Sequence, residues 1–191
     1  EPDLRVVCVR TGRSGEDAGD WIPRGLPPDV YLSPYLRYAP DLASVVEDGE
    51  GRACGYLVAV ADTSRFVEWY RTTWLPVFAG RHPLPEDVTT PSGRMAVTGR
   101  HPERFLGPDQ MSFPAHLHID LLPIARGRGL GRALMRRALG QLRDRGVPGV
   151  QLGVGARNAN ARGFYAHLGF RPLPSDPDNS LQLGIRTDEE M

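Results

Sequence analysis

The stretch Leu122-Pro-Ile-Ala-Arg126-Gly127-Arg128-Gly129-Leu130-Gly131-Arg132 sets alternating glycines between two strongly patterned segments. Before it, residues 115–122 alternate between apolar and polar side chains, the period of a half-buried strand. After it, residues 129–145 carry Leu130, Leu134, Met135, Ala138, Leu139 and Leu142 at helical spacing, and Gly146 and Pro148 stop the helix. A strand that runs through a turn without side-chain bulk straight into a helix restricts this part of the chain to an α/β layer. The turn restricts chemistry as well. Without Cβ, glycines let successive amides point inward and let a ligand approach the main chain. The helix leaves its first amides unpaired and carries a partial positive charge at that end. Such a concavity suits an anion, above all a pyrophosphate.

Charge is local rather than global. The 191 residues hold 23 basic and 23 acidic side chains, so no overall basic field exists for nucleic acid. Residues 126–145 nevertheless hold seven arginines (126, 128, 132, 136, 137, 143, 145) against one acid, Asp144. All 23 basic residues are Arg. The absence of Lys removes the phosphate-loop lysine of Walker A, the Schiff-base lysine of pyridoxal enzymes and any lysine base. The dinucleotide fingerprint G-x-G-x-x-G is not met by G-x-G-x-G. Four Ile among many Gly, Pro and Ala is the composition of a GC-rich bacterial genome. Cys8 and Cys54 lie far apart in apolar runs and read as buried free thiols, in keeping with a reducing cytoplasm. The longest apolar runs, 56–61 and 119–125, are far too short to span a membrane, and no signal peptide opens the chain. Lacking an initiator Met, it reads as trimmed or excised from something longer. A cytoplasmic location without nucleic-acid or membrane partners is expected.

Residues 4–9 read as a first strand, and the Pro- and Tyr-rich residues 21–40 as short helices. Residues 43–47 and 53–61 read as two strands about a turn. A helix over 65–79, capped by Thr63 or Ser64, carries an aromatic stripe of Phe66, Trp69, Tyr70, Trp74 and Phe78 that reads as core. Residues 80–114 hold six prolines and read mostly as loop, either a lid or a mobile segment. Strands at 149–155 and 181–186 and a helix at 159–167 complete one mixed α/β domain over residues 1–191, with no internal repeat.

Arg126, Gly129 and Gly131 fit the pattern Gln or Arg, x, x, Gly, x, Gly or Ala, which resembles motif A of the GNAT superfamily of acyl-CoA-dependent N-acyltransferases. Asn158-Ala-Asn-Ala161-Arg-Gly-Phe164-Tyr165-Ala-His-Leu-Gly169-Phe170 resembles the N-x-x-A-x-x-F-Y-x-x-x-G-F element of the same family, at the expected distance downstream. Residues 114–170, together with 54–62 and 66–76, are similar to the acetyltransferase-like domain found with O-GlcNAcases and to its free-standing bacterial relatives. The resemblance implies the GNAT fold: a mixed, mostly antiparallel sheet splayed between two parallel strands, here 115–122 and 149–155, with helices on both faces. It also implies acetyl-CoA as cosubstrate, and no metal, in the gap between those strands. The backbone of Leu121 and Leu122 would hold the pantetheine. The amides of Arg126, Gly127, Arg128, Gly129, Leu130, Gly131 and Arg132, with the Arg128 and Arg132 side chains, would hold the pyrophosphate. Asn158 would bond the cofactor's arm, and Tyr165 would stand near the sulfur as the general acid.

Attack of an amine on a thioester needs a neutral amine, a polarised carbonyl and a proton for the leaving thiolate. By alternation His116, His118 and Asp120 share one strand face, opposite Leu117, Ile119 and Leu121. Three ionisable groups are costly on a core face and are expected to line a wet cleft. Asp120 and His118 are the candidate pair for taking the ammonium proton, with His116 beside them and the order between them open. His82, His101 and His167 read as surface residues. The acceptor, a small-molecule or peptide amine, would be recognised by residues 31–38, the Trp69/Trp74 helix and residues 80–114, with Asp62 or Asp120 facing its charge. The protein would act as a monomer or a homodimer.

Two rival readings stand beside this one. The animal O-GlcNAcase-associated domain is regarded as a pseudo-acetyltransferase, so the same fold could serve as a catalytically silent acetyl-CoA-binding or interaction module. In the second, His116-Leu-His118-Ile-Asp120 also spells H-x-H-x-D, the start of a metallo-β-lactamase-type hydrolase motif. Leu121 stands where that motif continues with His, and the hydrolase reading leaves the glycine turn unexplained.

Overall fold

The alternation over residues 115–122 builds the central strand of a six-stranded sheet. The protein's structure is a computed structural model that describes residues 1–13, 15–156, 158–174 and 180–189. Strands β1 (Ser44–Glu47), β2 (Ala53–Val60), β3 (Ala115–Leu121), β4 (Gly149–Gly155), β5 (Arg171–Pro172) and β6 (Ser180–Arg186) pair in the order β1-β2-β3-β4-β6-β5. Every pairing is antiparallel except β3 with β4. That one parallel pair touches only at Ala115↔Val150 and His116↔Gln151. From Leu117 onward β3 pairs with β2 alone, so the sheet opens into a V at its centre.

Helices cover both faces. Helix α7 (Leu130–Arg143) packs its apolar stripe of Leu134, Met135, Ala138, Leu139 and Leu142 on one face, and α8 (Ala159–His167) lies beside it. On the other face lie α1 (Pro2–Thr11), α2 (Leu26–Tyr31), α3 (Ser33–Tyr38), the continuous α4 (Thr63–Trp69) and α5 (Leu75–Arg81), and α6 (Pro91–Thr98). The five turns of α4–α5 place Phe66, Tyr70, Trp74 and Phe78 on one fully buried line, with the Trp74 indole donating to the Asp29 carbonyl. Between α4 and α5 the helix widens to a π turn over Tyr70–Trp74. Pro76 explains the widening, since it has no amide proton to return to the Thr72 carbonyl.

The structure corrects the sequence reading at four places. Residues 4–9 are helix, not strand: Leu4, Val7, Cys8 and Thr11 are buried at helical spacing, with Val9 buried besides, a period that the β-branched valines disguise, and Pro2 suits a helical first turn. Asp62, not Thr63 or Ser64, caps α4, accepting from the Arg65 amide at 3.0 Å. Residues 80–114, read mostly as loop, also contain α6 and a 3-10 turn over Pro102–Phe105, which stacks the Phe105 ring on His116 of β3. His82 is no surface residue: its Nε2 lies 2.9 Å from Asp29 Oδ2, a buried carboxylate that Arg5 also contacts at 2.8 Å.

Candidate active site

The glycine turn folds as its composition demands. Gly127 and Gly129 adopt φ of 70° and 76°, the left-handed region closed to most side chains, and open space stands where each Cβ would be. Gly129 caps α7 without a side-chain bond. Among the described residues, the amides of Gly127 through Arg132 have no protein acceptor. Arg128 and Arg132 are exposed and make no ion pair among the described residues. Gly131 has a different reason: a Cβ there would meet the Phe164 ring at 3.0 Å, so it serves the packing of α7 against α8. One member of the expected set, Arg126, is already engaged. The Arg126 amide donates to the Pro123 carbonyl, while its guanidinium bonds the carbonyls of Leu121 (2.9 Å) and Gly15 (2.8 Å).

Where β3 parts from β4, its free edge is set by strand geometry. The Leu122 amide donates to the Cys54 carbonyl, so Leu122 faces β2 and is not open to a ligand, contrary to expectation. Alternation then turns the main-chain groups of Ile119 and Leu121 towards the gap. A cleft of about 650 Å3 occupies the gap, running from the glycine turn past Ile119, Asp120 and Leu121 to Asn158, Phe164 and Tyr165. Thr11 and Gly15 close its near side. No local pattern marks these two, since only the folded chain carries α1 across to the turn. His167, read as a surface residue, stands exposed at the rim. Asn158 Oδ1 caps α8 through the Ala161 amide at 3.0 Å, which leaves its amide nitrogen for a ligand.

Of the three ionisable residues on the β3 face, only Asp120 reaches this cleft, which corrects the expectation of one wet wall. His116 sits where β3 still holds β4, 3% exposed. Thr63 gives its hydroxyl proton to the Pro114 carbonyl, so at 2.9 Å it accepts from His116 Nδ1. His116 Nε2 then accepts from the Tyr35 hydroxyl at 2.8 Å. Both ring nitrogens are thus engaged in the neutral form, and neither is open to a metal. Burial pushes the ring well below the ordinary histidine range, with His118 and Arg104 adding to the effect. His118 lies edge-on to Tyr31 and Tyr35, its Nε2 without a partner among the described residues. Burial, then Arg104, pushes it down to about 3. Tyr35 and Trp74 are core, whereas of the aromatic walls expected for an acceptor Tyr31, beside His118, and the Tyr38–Trp69 pair stay half-buried.

Asp120 accepts from the Tyr56 hydroxyl at 2.6 Å. Burial raises its carboxyl above the ordinary range, against the lowering effect of that bond. Tyr165 is 9% exposed, and its hydroxyl has no hydrogen-bond partner among the described residues. Burial and the charge of Asp120 both raise its pKa, so it holds its proton. The cleft therefore presents one carboxyl and one phenol beside an anion cradle.

The acetyltransferase (GNAT) family profile matches residues 104–170. The crystal structure of SsHAT is similar over 98% of this chain and 94% of that one, with a TM-score of 0.92 and 42% sequence identity. The mycothiol acetyltransferase of Beutenbergia cavernae is 59% identical over 51 residues, 27% of this chain and 17% of that protein. The O-GlcNAcase of Rattus norvegicus is 22% identical over 176 residues, 88% of this chain and 19% of that protein. The chain thus spans under a fifth of the length of these two curated relatives. Fold, cleft and relatives agree: the chain belongs to the GNAT acetyltransferase family.

Proposed function

We propose that the protein transfers an acetyl group from acetyl-CoA to an amine by direct attack in a ternary complex. The observation that carries this reading is the position of the cleft. It joins unpartnered amides at a helix N-terminus to a free strand edge, with Asp120 and Tyr165 lining it. The residues fit the cosubstrate. Gly127 through Arg132 would hold its diphosphate, Ile119 and Leu121 its pantetheine amides, and the Asn158 amide nitrogen its arm. Bound there, the thioester supplies an activated acetyl carbonyl.

Asp120 takes one proton from the acceptor ammonium, leaving a neutral amine whose lone pair forms the new C–N bond. As the C–S bond breaks, Tyr165 gives its proton to the leaving sulfur. The second amine proton, lost as the amide forms, restores Tyr165, and Asp120 returns the first to solvent. One proton is released per turnover. His118, neutral above about pH 3 and outside the cleft, is a poorer base than Asp120.

A calorimetric titration with acetyl-CoA, followed by a thiol-release screen over amines, amino sugars and peptides, tests the reading. Saturable binding and amine-dependent thiol release are expected. Binding without release for any amine would leave a cosubstrate-binding module, and failure to bind would remove the cosubstrate.

A further inference from the structure

Tyr56 was not singled out in the sequence, yet it is the residue that meets Asp120. The two are direct cross-strand partners on β2 and β3. Tyr56 is 0% exposed, so its hydroxyl is fully removed from water, where an unpartnered O–H is costly. Phenylalanine would fill the same space. The hydroxyl answers to the carboxylate, which it meets at 2.6 Å, the distance of a charge-assisted bond.

Thr11 and Arg126 also favour the charged form of Asp120, each less than Tyr56 does, and the groups facing it are otherwise committed. From α1, the Thr11 hydroxyl donates to the Val7 carbonyl at 2.9 Å. The Cys8 thiol, pushed up to about 12 by burial and by the charge of Asp120, stays neutral. From the turn, the Arg126 guanidinium is bound to Leu121 and Gly15. Tyr165 of α8 keeps its proton. On β3 itself, His118 is neutral at working pH.

We propose that Tyr56 is a positioning residue, whose hydroxyl holds the Asp120 carboxylate ionised and turned into the cleft, ready to take the acceptor's proton. This rests on Asp120 being the base. A carboxyl this buried loses water's stabilisation of its charge, and Tyr56 supplies a fixed dipole in its place. Without it, Asp120 would hold a proton into the pH range where it must accept one.

The test uses the free protein and needs no acceptor. Infrared difference spectra are recorded across pH, and the Asp120 carboxyl band is assigned by its loss in Asp120→Asn. Tyr56→Phe is expected to raise the midpoint of that band by about one pH unit, equivalent to a tenfold lower ionised fraction below the midpoint. Should Tyr56→Phe fail to fold, as judged by melting, 3-fluorotyrosine at position 56 makes a stronger donor and should move the midpoint down. A midpoint unmoved by either change, or moved the opposite way, overturns the proposal. Once an acceptor is known, Tyr56→Phe should shift the acidic limb of kcat/KM in parallel and recover wild-type rate at high pH, and an equal loss at every pH would overturn the proposal. If Asp120→Asn leaves turnover unchanged, the reading of Asp120 as base fails instead, whatever the infrared midpoint does.

Discussion

His116 and Asp120 lie four residues apart on the same face of the same strand, and the fold gives them opposite fates. At His116, β3 is still paired with β4, and the ring is sealed between Tyr35 and Thr63 with both nitrogens bonded. At Asp120 the neighbouring strand has gone, and the carboxyl looks into the cleft. Strand alternation assigns side chains to a face, but what such a face can do depends on whether the next strand is present. One end of β3 holds the sheet together and the other end opens on the cleft.

The comparison breaks most sharply at the glycine turn, which lies beyond the open end of β3. Gly129→Glu forces a side chain into a left-handed backbone at φ 76° and points a negative charge at the diphosphate site. Calorimetry should show acetyl-CoA affinity lowered by about 100-fold or more, two decades being about 2.7 kcal/mol. Retained affinity would place the cosubstrate elsewhere.

The two ends of β3 should separate in a paired experiment. Asp120→Asn should cut turnover by about 100-fold, in the range of a lost general base, with melting little changed. His116→Leu should do the reverse. It strips the Tyr35 hydroxyl of its buried partner and should cost about 2–4 kcal/mol of stability, with turnover per folded molecule kept. Denaturant unfolding and steady-state rates on both variants decide the matter. A His116 variant that stays stable but slow would reverse the assignment.

Tyr165→Phe is the milder change. A thiolate of ordinary pKa leaves without much help, so losing the acid should slow turnover about tenfold, with acetyl-CoA affinity kept. Rates equal to wild type across pH would remove Tyr165 from the reaction.

How far the sequence foretold this site depends on the kind of signal. The glycine turn and the Asn158–Phe170 element were legible because their constraints are local: φ at Gly127 and Gly129, the cap at Asn158, the amphipathic stripe of α7. The common face of His116, His118 and Asp120 was legible too, since alternation is also local. Their division was not, because it depends on where β3 and β4 diverge, a matter of pairing between residues 35 apart in the chain. The first helix was missed since Val6, Val7 and Val9 favour strand in isolation, whereas burial follows the helical spacing of Leu4, Val7, Cys8 and Thr11, with Val9 besides. Thr11, Gly15 and Tyr56 join the site only through long-range contacts, Tyr56 reaching Asp120 across 64 residues.

Acid stability offers the finest test of the dry end. His118 and His116 have folded pKa values lowered by burial, so the unfolded chain binds their protons first as pH falls. Their contribution to stability is therefore intact above about pH 6.5, the unfolded value, and is lost progressively below it, down to about 3 for His118. Asp120 acts in the opposite sense, because its raised pKa lets the folded state bind a proton first. Asp29, held low by its Arg5 and His82 bonds despite burial, contributes stability that is lost only below the ordinary carboxylate range. Between pH 6 and pH 5 the histidines thus dominate, each removing about 1 kcal/mol over that unit. In His118→Gln, which cannot titrate, the fall in unfolding free energy across this interval should be smaller than in wild type by that amount. Parallel curves for the two proteins would mean that His118 is wet and titrates normally, and the contrast between the two ends of β3 would lose its physical basis.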